Sequence, residues 1–242
     1  MKLKISMTRT LIILIALLFL NGCTEKKSSS SEKIRIVTTT GMIQDAAAFI
    51  SSDFADAEAL IGPGVDPHLY KASQGDLEKL TAADVVFYNG LHLEGKMSEV
   101  LEKLARLKPV IPVSRDIPEA LLREAPGFGG THDPHIWFNV LLWKHAATTI
   151  SKSLSNLYPE HSKSIQQRAN SYLKQLDSLD NLVRSDLAEI PESQRILITA
   201  HDAFGYFGDA YGIEVHGLQG ISTLSEFGLR DVTNLVAFIT EH

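Results

Sequence analysis

The chain has 242 residues, with 23 Lys and Arg against 29 Asp and Glu for a formal charge of −6, and 44% of its residues are apolar. That acidic balance argues against a nucleic-acid partner, and the apolar share is ordinary for a packed globular protein. A single cysteine excludes a disulfide framework and a cysteine-cluster metal site.

At the N-terminus Lys2, Lys4 and Arg9 precede an apolar run from Leu11 to Leu20. The run is too short to span a bilayer as a stable helix and reads as a secretion signal. It ends in Leu20-Asn21-Gly22-Cys23, which resembles the bacterial lipobox, although Asn21 is a less usual residue at its position. On that reading residues 1–23 are a lipoprotein signal and Cys23 carries lipid; the alternative is an ordinary signal peptide with an incidental cysteine. Removing the signal takes away three cations and no acids, so the formal charge moves from −6 to −9. Residues 24–33 (TEKKSSSSEK) are polar and Ser-rich, the composition of a flexible tether between lipid and folded body.

Beyond the tether, β-branched and apolar runs alternate with helical patterns. Strands are expected at Ile34–Thr40, Ala57–Ile61, Val85–Tyr88 and Val110–Val113, and helices at Ile43–Ser51, Leu77–Ala82 and Met97–Leu107. This βαβα order implies a parallel sheet with helices on its faces, an α/β lobe over residues 34–160. Ser73 and Asp76 have capping-box spacing ahead of Leu77. A further helical region runs from Asn139 to Leu157. Ile165, Ala169, Tyr172, Leu176, Leu179, Val183 and Leu187 then recur at three- and four-residue steps, predicting one long connector helix within 161–190 that ends before Pro191. A second α/β lobe over 191–242 begins with strands at Ile196–Thr199 and Val215–Leu218 and helices at Phe204–Tyr211 and Arg230–Glu241. Two strands make a poor independent sheet and the last helix has no stop signal, so this lobe reads as incomplete and the chain as C-terminally short of its fold.

Two tripeptides are identical, Asp66-Pro67-His68 and Asp133-Pro134-His135. Pro restricts the backbone ahead of each His and favours a preorganised ring, while the plainer reading makes Asp a helix N-cap, Pro the first helical residue and His a bystander. His201 follows the apolar run Ile196–Thr199 and is expected just past a strand's carboxyl end, the edge at which open α/β sheets bind ligands. Imidazole is the commonest ligand for zinc, manganese and iron, so three histidines from separate strand-end loops would make a metal site if they converge.

Four segments carry a more specific resemblance: GVDPHLY at 64–70, HDPHIWFN at 132–139, HDAFGYFGDAYG at 201–212 and GLQGISTLSE at 217–226. In this order and spacing they resemble the signature segments of the solute-binding lipoproteins of zinc/manganese ABC transporters, over the chain from Ile34 to its end. The resemblance implies two α/β lobes joined by one long helix with the metal between them. It implies ligation by His68 and His135 from the first lobe and by His201 at a position that is His or Glu in different members. The family's fourth ligand, an Asp late in the second lobe, has no match in this chain and is expected beyond His242. Three imidazoles without an anion leave a fourth position for water. Asp202 or Glu226 are conceivable substitutes, with capping or surface roles as the plainer alternative.

The resemblance further implies extracytoplasmic capture of zinc or manganese, or iron, and delivery to a membrane permease with its ATPase subunit, by a lipid-anchored, monomeric, non-catalytic protein. Two other readings compete. One is a zinc-dependent hydrolase with Asp202 or Glu226 as base, which no HExxH motif supports. The other is a surface adhesion lipoprotein, which leaves the paired motifs and His201 unexplained. Trp137, Phe204, Tyr206 and Phe207 are expected to pack around the site, and His92, His132, His145, His161 and His216 to be structural or surface residues. Residues 125–131 (APGFGGT) are not the His-rich acidic loop of members dedicated to zinc. Protonation of the ligands should weaken binding below about pH 6.

Overall fold

The computed structural model describes residues 33–125, 132–223 and 228–241. The residues from Lys33 onward form one compact unit. The signal, Cys23 and all of the tether but Lys33 lie outside the described residues. No helix among the described residues is long and apolar enough to cross a membrane.

Strand β1 (Ile34–Thr38), helix α1 (Gly41–Ser51), β2 (Ala55–Ala59), α2 (Gln74–Ala82), β3 (Val85–Tyr88), α3 (Ser98–Ala105) and β4 (Val110–Pro112) follow one another along the chain. The four strands form one sheet in the order β2-β1-β3-β4, and every pairing is parallel. Parallel strands covered on both faces read as continuous apolar runs, and Val85, Val86 and Phe87 are all buried. Alternate residues feed opposite layers. Ile36, Val85 and Phe87 pack with Ile43, Ala46 and Ile50 of α1, whereas Val37 and Val86 pack with Leu80 of α2, Met97, and Leu101 of α3.

The sequence places the second strand two residues too late. Leu60 and Ile61 leave the ladder proper, yet their N–H groups still donate to the carbonyls of Thr38 and Thr39 at 2.9 and 3.0 Å, so the apolar run continues as extended backbone toward the next loop. The capping box at α2 is present: Ser73 Oγ accepts from Asp76 N, and the Asp76 carboxylate accepts from Ser73 N.

Helix α4 (Val140–Leu157) is capped by Asn139, whose Oδ1 accepts from Leu141 N and Leu142 N. It closes the first core together with α5 (Ser162–Ala188), a helix of 27 residues. The apolar face of α5 at Ile165, Ala169, Tyr172 and Leu176 joins this core. One turn further on, buried Asp180 of α5 accepts from the hydroxyl of Tyr211 at 3.0 Å, so the same helix also holds the elements that follow it.

Those elements are β5 (Ile196–His201), α6 (Gly205–Tyr211), β6 (Glu214–Gln219) and α7 (Leu229–Glu241). Strands β5 and β6 pair in parallel as a separate sheet, with Ile198 opposite His216 and His201 opposite Gln219. A Cβ on Gly217 would lie 2.6 Å from Asp202 Cα, so only glycine lets the chain leave β5 this close to β6. Ile198 of β5 and Leu229, Val236 and Ile239 of α7 are exposed.

Candidate metal centre

Each of the three sequence-predicted histidines sits where a strand or loop from the sheet edges turns. His68 lies on the loop after β2. Gly64 in this loop takes φ of +78°, a left-handed conformation that side chains disfavour, and turns the chain so that Val65 N donates to Gly62 O. Asp66 Oδ1 then accepts from His68 N at 2.8 Å. In the second copy of the motif Asp133 Oδ1 accepts from His135 N at 2.9 Å.

Neither Asp is the helix N-cap of the plainer reading. No helix follows His68 until Gln74, and after His135 there is only one 3-10 turn (Ile136–Phe138). Both carboxylates close an Asx turn onto the histidine two residues on, which fixes the backbone that carries the ring. His201 is the last residue of β5 rather than a residue beyond it. It stays on the strand because it still pairs with Gln219 and the ladder continues through Asp202 N to Gln219 O at 2.9 Å.

The three rings converge. His135 Nε2 lies 3.2 Å from His68 Nε2 and 3.2 Å from His201 Nε2, and one ligand atom from each ring falls within 4.8 Å of the others. Their centroids stand 5.2, 5.3 and 5.0 Å apart with the rings mutually edge-on. Two nitrogen ligands on one tetrahedral metal would be separated by roughly 3.3 Å, given metal–nitrogen bonds of about 2.0 to 2.1 Å. The two 3.2 Å separations match that spacing.

Hydrogen bonds on the far side of two rings fix their tautomers. His201 Nδ1 lies 2.8 Å from the carbonyl of Gly220, which only accepts, so Nδ1 carries the proton and Nε2 presents a lone pair inward. His135 Nδ1 lies 2.7 Å from Asp133 Oδ1 and is oriented in the same way. Electrostatics favour the ligating form. Burial, reinforced by neighbouring His135, pushes the His68 imidazole down to about 4, against the opposing charge of Asp66. The His201 imidazole is lowered by burial and then by His135, while the Gly220 carbonyl opposes the shift.

Sequence reasoning expects Tyr206 to pack around the site but misses its hydrogen bonds and the part played by Arg123. The hydroxyl of buried Tyr206 on α6 donates to the carbonyl of Asp133 at 2.9 Å and accepts from Arg123 N at 3.0 Å. The Arg123 side chain forms an ion pair with Asp209 of α6, and its Nε stands 3.8 Å from Asp133 Oδ2. Helix α6, which follows the strand carrying His201, is thereby pinned to the loop carrying His135. Trp137 meets His135 edge-on at 5.3 Å and Phe204 packs on Phe138 at 4.2 Å, the packing expected of these aromatics. The one available signal for the Asp133 bond was an Asp two residues before each His.

Of the conceivable substitute ligands, Asp202 is not in the converging group, and Glu226 lies outside the described residues. Burial, followed by the charge of Asp133, raises the Asp202 carboxyl, with Arg123 opposing. Among the other histidines, His161 stacks on Phe54 at 4.2 Å and His216 lies 2.8 Å from Glu214 Oε1, both away from the site.

The family described as zinc-uptake complex component A, periplasmic, matches residues 36–242. The chain is 47% identical over 231 residues to the manganese-binding lipoprotein MntA of Bacillus subtilis (strain 168), covering 95% of this chain and 75% of that protein. It is 46% identical over 233 residues to the zinc-binding protein TroA of Treponema pallidum (strain Nichols), covering 94% of this chain and 74% of that protein. The solved structure of the periplasmic zinc binding protein TroA from Treponema pallidum superposes with a TM-score of 0.83 at 46% identity, over 86% of this chain and 75% of the other. The chain belongs to the family of the periplasmic zinc-uptake complex component A.

Proposed function

We propose that this protein captures a divalent transition-metal ion outside the cytoplasm with His68, His135 and His201, and hands it to an ABC import permease driven by its ATPase subunit. The observation that carries the reading is the pair of 3.2 Å contacts joining the three Nε2 atoms, drawn from three separate stretches of the chain. Manganese and zinc are the cargo it favours: the two relatives at 47% and 46% identity are named for manganese and for zinc. Three imidazoles accept either ion, with intrinsic affinity ordering zinc above manganese. The ion is cargo, so the site binds and releases and no bond of a substrate is made or broken. Cys23 is the anchor, with the lipid holding a monomeric receptor at the membrane surface. Residues 34–160, 161–190 and 191–242 serve as first lobe, connector and second-lobe residues.

The test is uptake in cells lacking the chromosomal copy. Wild-type chain restores accumulation of radioactive manganese or zinc, and His68→Ala at equal abundance does not. Equal restoration by both would defeat the reading.

A further inference from the structure

Behind the site lies a buried carboxylate that forms no ion pair among the described residues. Glu94 is 2% exposed, and its oxygens are occupied by neutral donors: Oε1 accepts from Thr39 Oγ1 at 2.7 Å and from Asn89 N at 2.6 Å, and Oε2 from Gly90 N at 3.2 Å. Thr39 follows β1 and Asn89 follows β3, so one side chain ties together the carboxyl ends of two adjacent central strands. Burying a carboxylate is unfavourable unless its lone pairs are filled, and here two of the three donors, Asn89 N and Gly90 N, come from the turn that the carboxylate holds. That turn is strained. Leu91 and His92, with φ of 53° and 64°, follow Gly90 at φ of 82°, so three successive residues are left-handed.

The side chain of Asn89 carries this rigidity toward the site. Its Nδ2 donates to the carbonyl of Pro134 at 2.9 Å, which is the carbonyl of the peptide bond entering His135. Asn89 is 1% exposed, and its own carbonyl accepts from Ser114 Oγ at 2.7 Å, beyond β4. The backbone of Asn89 is thus held on both sides, at N by Glu94 and at its carbonyl by Ser114, and its side-chain Nδ2 also donates to the Gly90 carbonyl at 3.1 Å beside its bond to Pro134. The His135 ring is fixed at Nδ1 by Asp133, and its backbone is fixed at N by the same Asp133 oxygen and at the preceding carbonyl by Asn89. We infer that Asn89, locked by Glu94, is a positioning residue for the metal site that sets the orientation of His135 through the Pro134 carbonyl. The inference rests on His135 being a ligand.

The test uses the purified full-length chain with cobalt(II) as the probe, reading affinity and ligand-field absorption, with circular dichroism to establish folding. Asn89→Ala removes the donor to Pro134. It is expected to weaken cobalt binding by about 10- to 100-fold, the range for loss of an outer-shell partner, and to shift the absorption band. Glu94→Gln turns an amide N–H₂ toward either the Gly90 N–H or the Thr39 and Asn89 donors, and is expected to shift the same band in the same direction with a smaller loss of affinity. If Asn89→Ala does not fold, Glu94→Gln decides. Folded variants with wild-type affinity and an unshifted band overturn the inference. His135→Ala separates the two readings: if it binds cobalt like wild type, ligation by His135 fails; if it loses binding while Asn89→Ala and Glu94→Gln keep wild-type behaviour, only the positioning role fails.

Discussion

The imidazole Nδ1 of His135 lies 2.7 Å from Oδ1 of Asp133, and that same oxygen accepts from the backbone N–H of His135. One carboxylate therefore holds both ring and backbone of a single residue. Asp66, at the matching position of the first motif, accepts from His68 N at 2.8 Å. Identical tripeptides thus do unequal work, because only in the second does the ring fold back onto its own Asp.

The first prediction follows from that inequality. Asp133→Ala should weaken zinc binding by about 10- to 100-fold, as loss of an outer-shell carboxylate does, and Asp66→Ala should weaken it less. Calorimetric titration of the two variants checks the order. Equal losses would mean that the Asx turn matters and the ring bond does not.

Tyr206→Phe removes the hydroxyl that donates to the Asp133 carbonyl and accepts from Arg123 N. Two backbone groups are then left without this partner, and stability should fall by about 1 to 3 kcal/mol. Urea unfolding measures it, through a lower midpoint at unchanged slope. An unchanged midpoint would show that α6 is held to the His135 loop by the Arg123–Asp209 pair and apolar packing alone.

Acid should destabilise the metal-free protein from the ordinary histidine value downward, over a window that reaches to about 4. Burial and the neighbouring His135 hold His68 at about 4 in the folded state, below the ordinary value of 6.5. Between those values the unfolded chain binds more protons than the native one, so this contribution to stability is fully present above 6.5 and is lost as pH falls from 6.5 toward about 4. His201 is shifted in the same direction. Metal requires the neutral rings, so competition by protons at His68 also sets in nearer to 4 than the onset of about pH 6 expected of unperturbed imidazoles. Melting of the metal-free chain across this range should fall steadily with acid, and by less in His68→Ala. Equal acid sensitivity in both would contradict the assigned cause.

Periodicity in the sequence locates the strands and helices because each buries a repeating apolar pattern, as Val85, Val86 and Phe87 do in β3 and Ile165, Ala169, Tyr172 and Leu176 do in α5. Ends are less legible. The second strand begins at Ala55, two residues before the expected start, because an edge strand rich in Ala, Asp and Glu has little apolar contrast. The three histidines stand out through the repeated tripeptide and the strand end before His201. Much of what surrounds them does not: Asn89, Arg123 and Gly220 are polar or small residues, the hydroxyl bonds of Tyr206 are invisible in its expected packing, and no local spacing marks a hydrogen bond such as that from Asn89 to Pro134, 45 residues away.

The most direct test is a titration of zinc and manganese into the folded chain beside His201→Ala. The account predicts one ion per chain for wild type and a loss of more than about 100-fold in the variant, beyond the loss of an outer-shell partner. Unchanged affinity and stoichiometry in folded His201→Ala would contradict it, and would place any bound metal somewhere other than among these three rings.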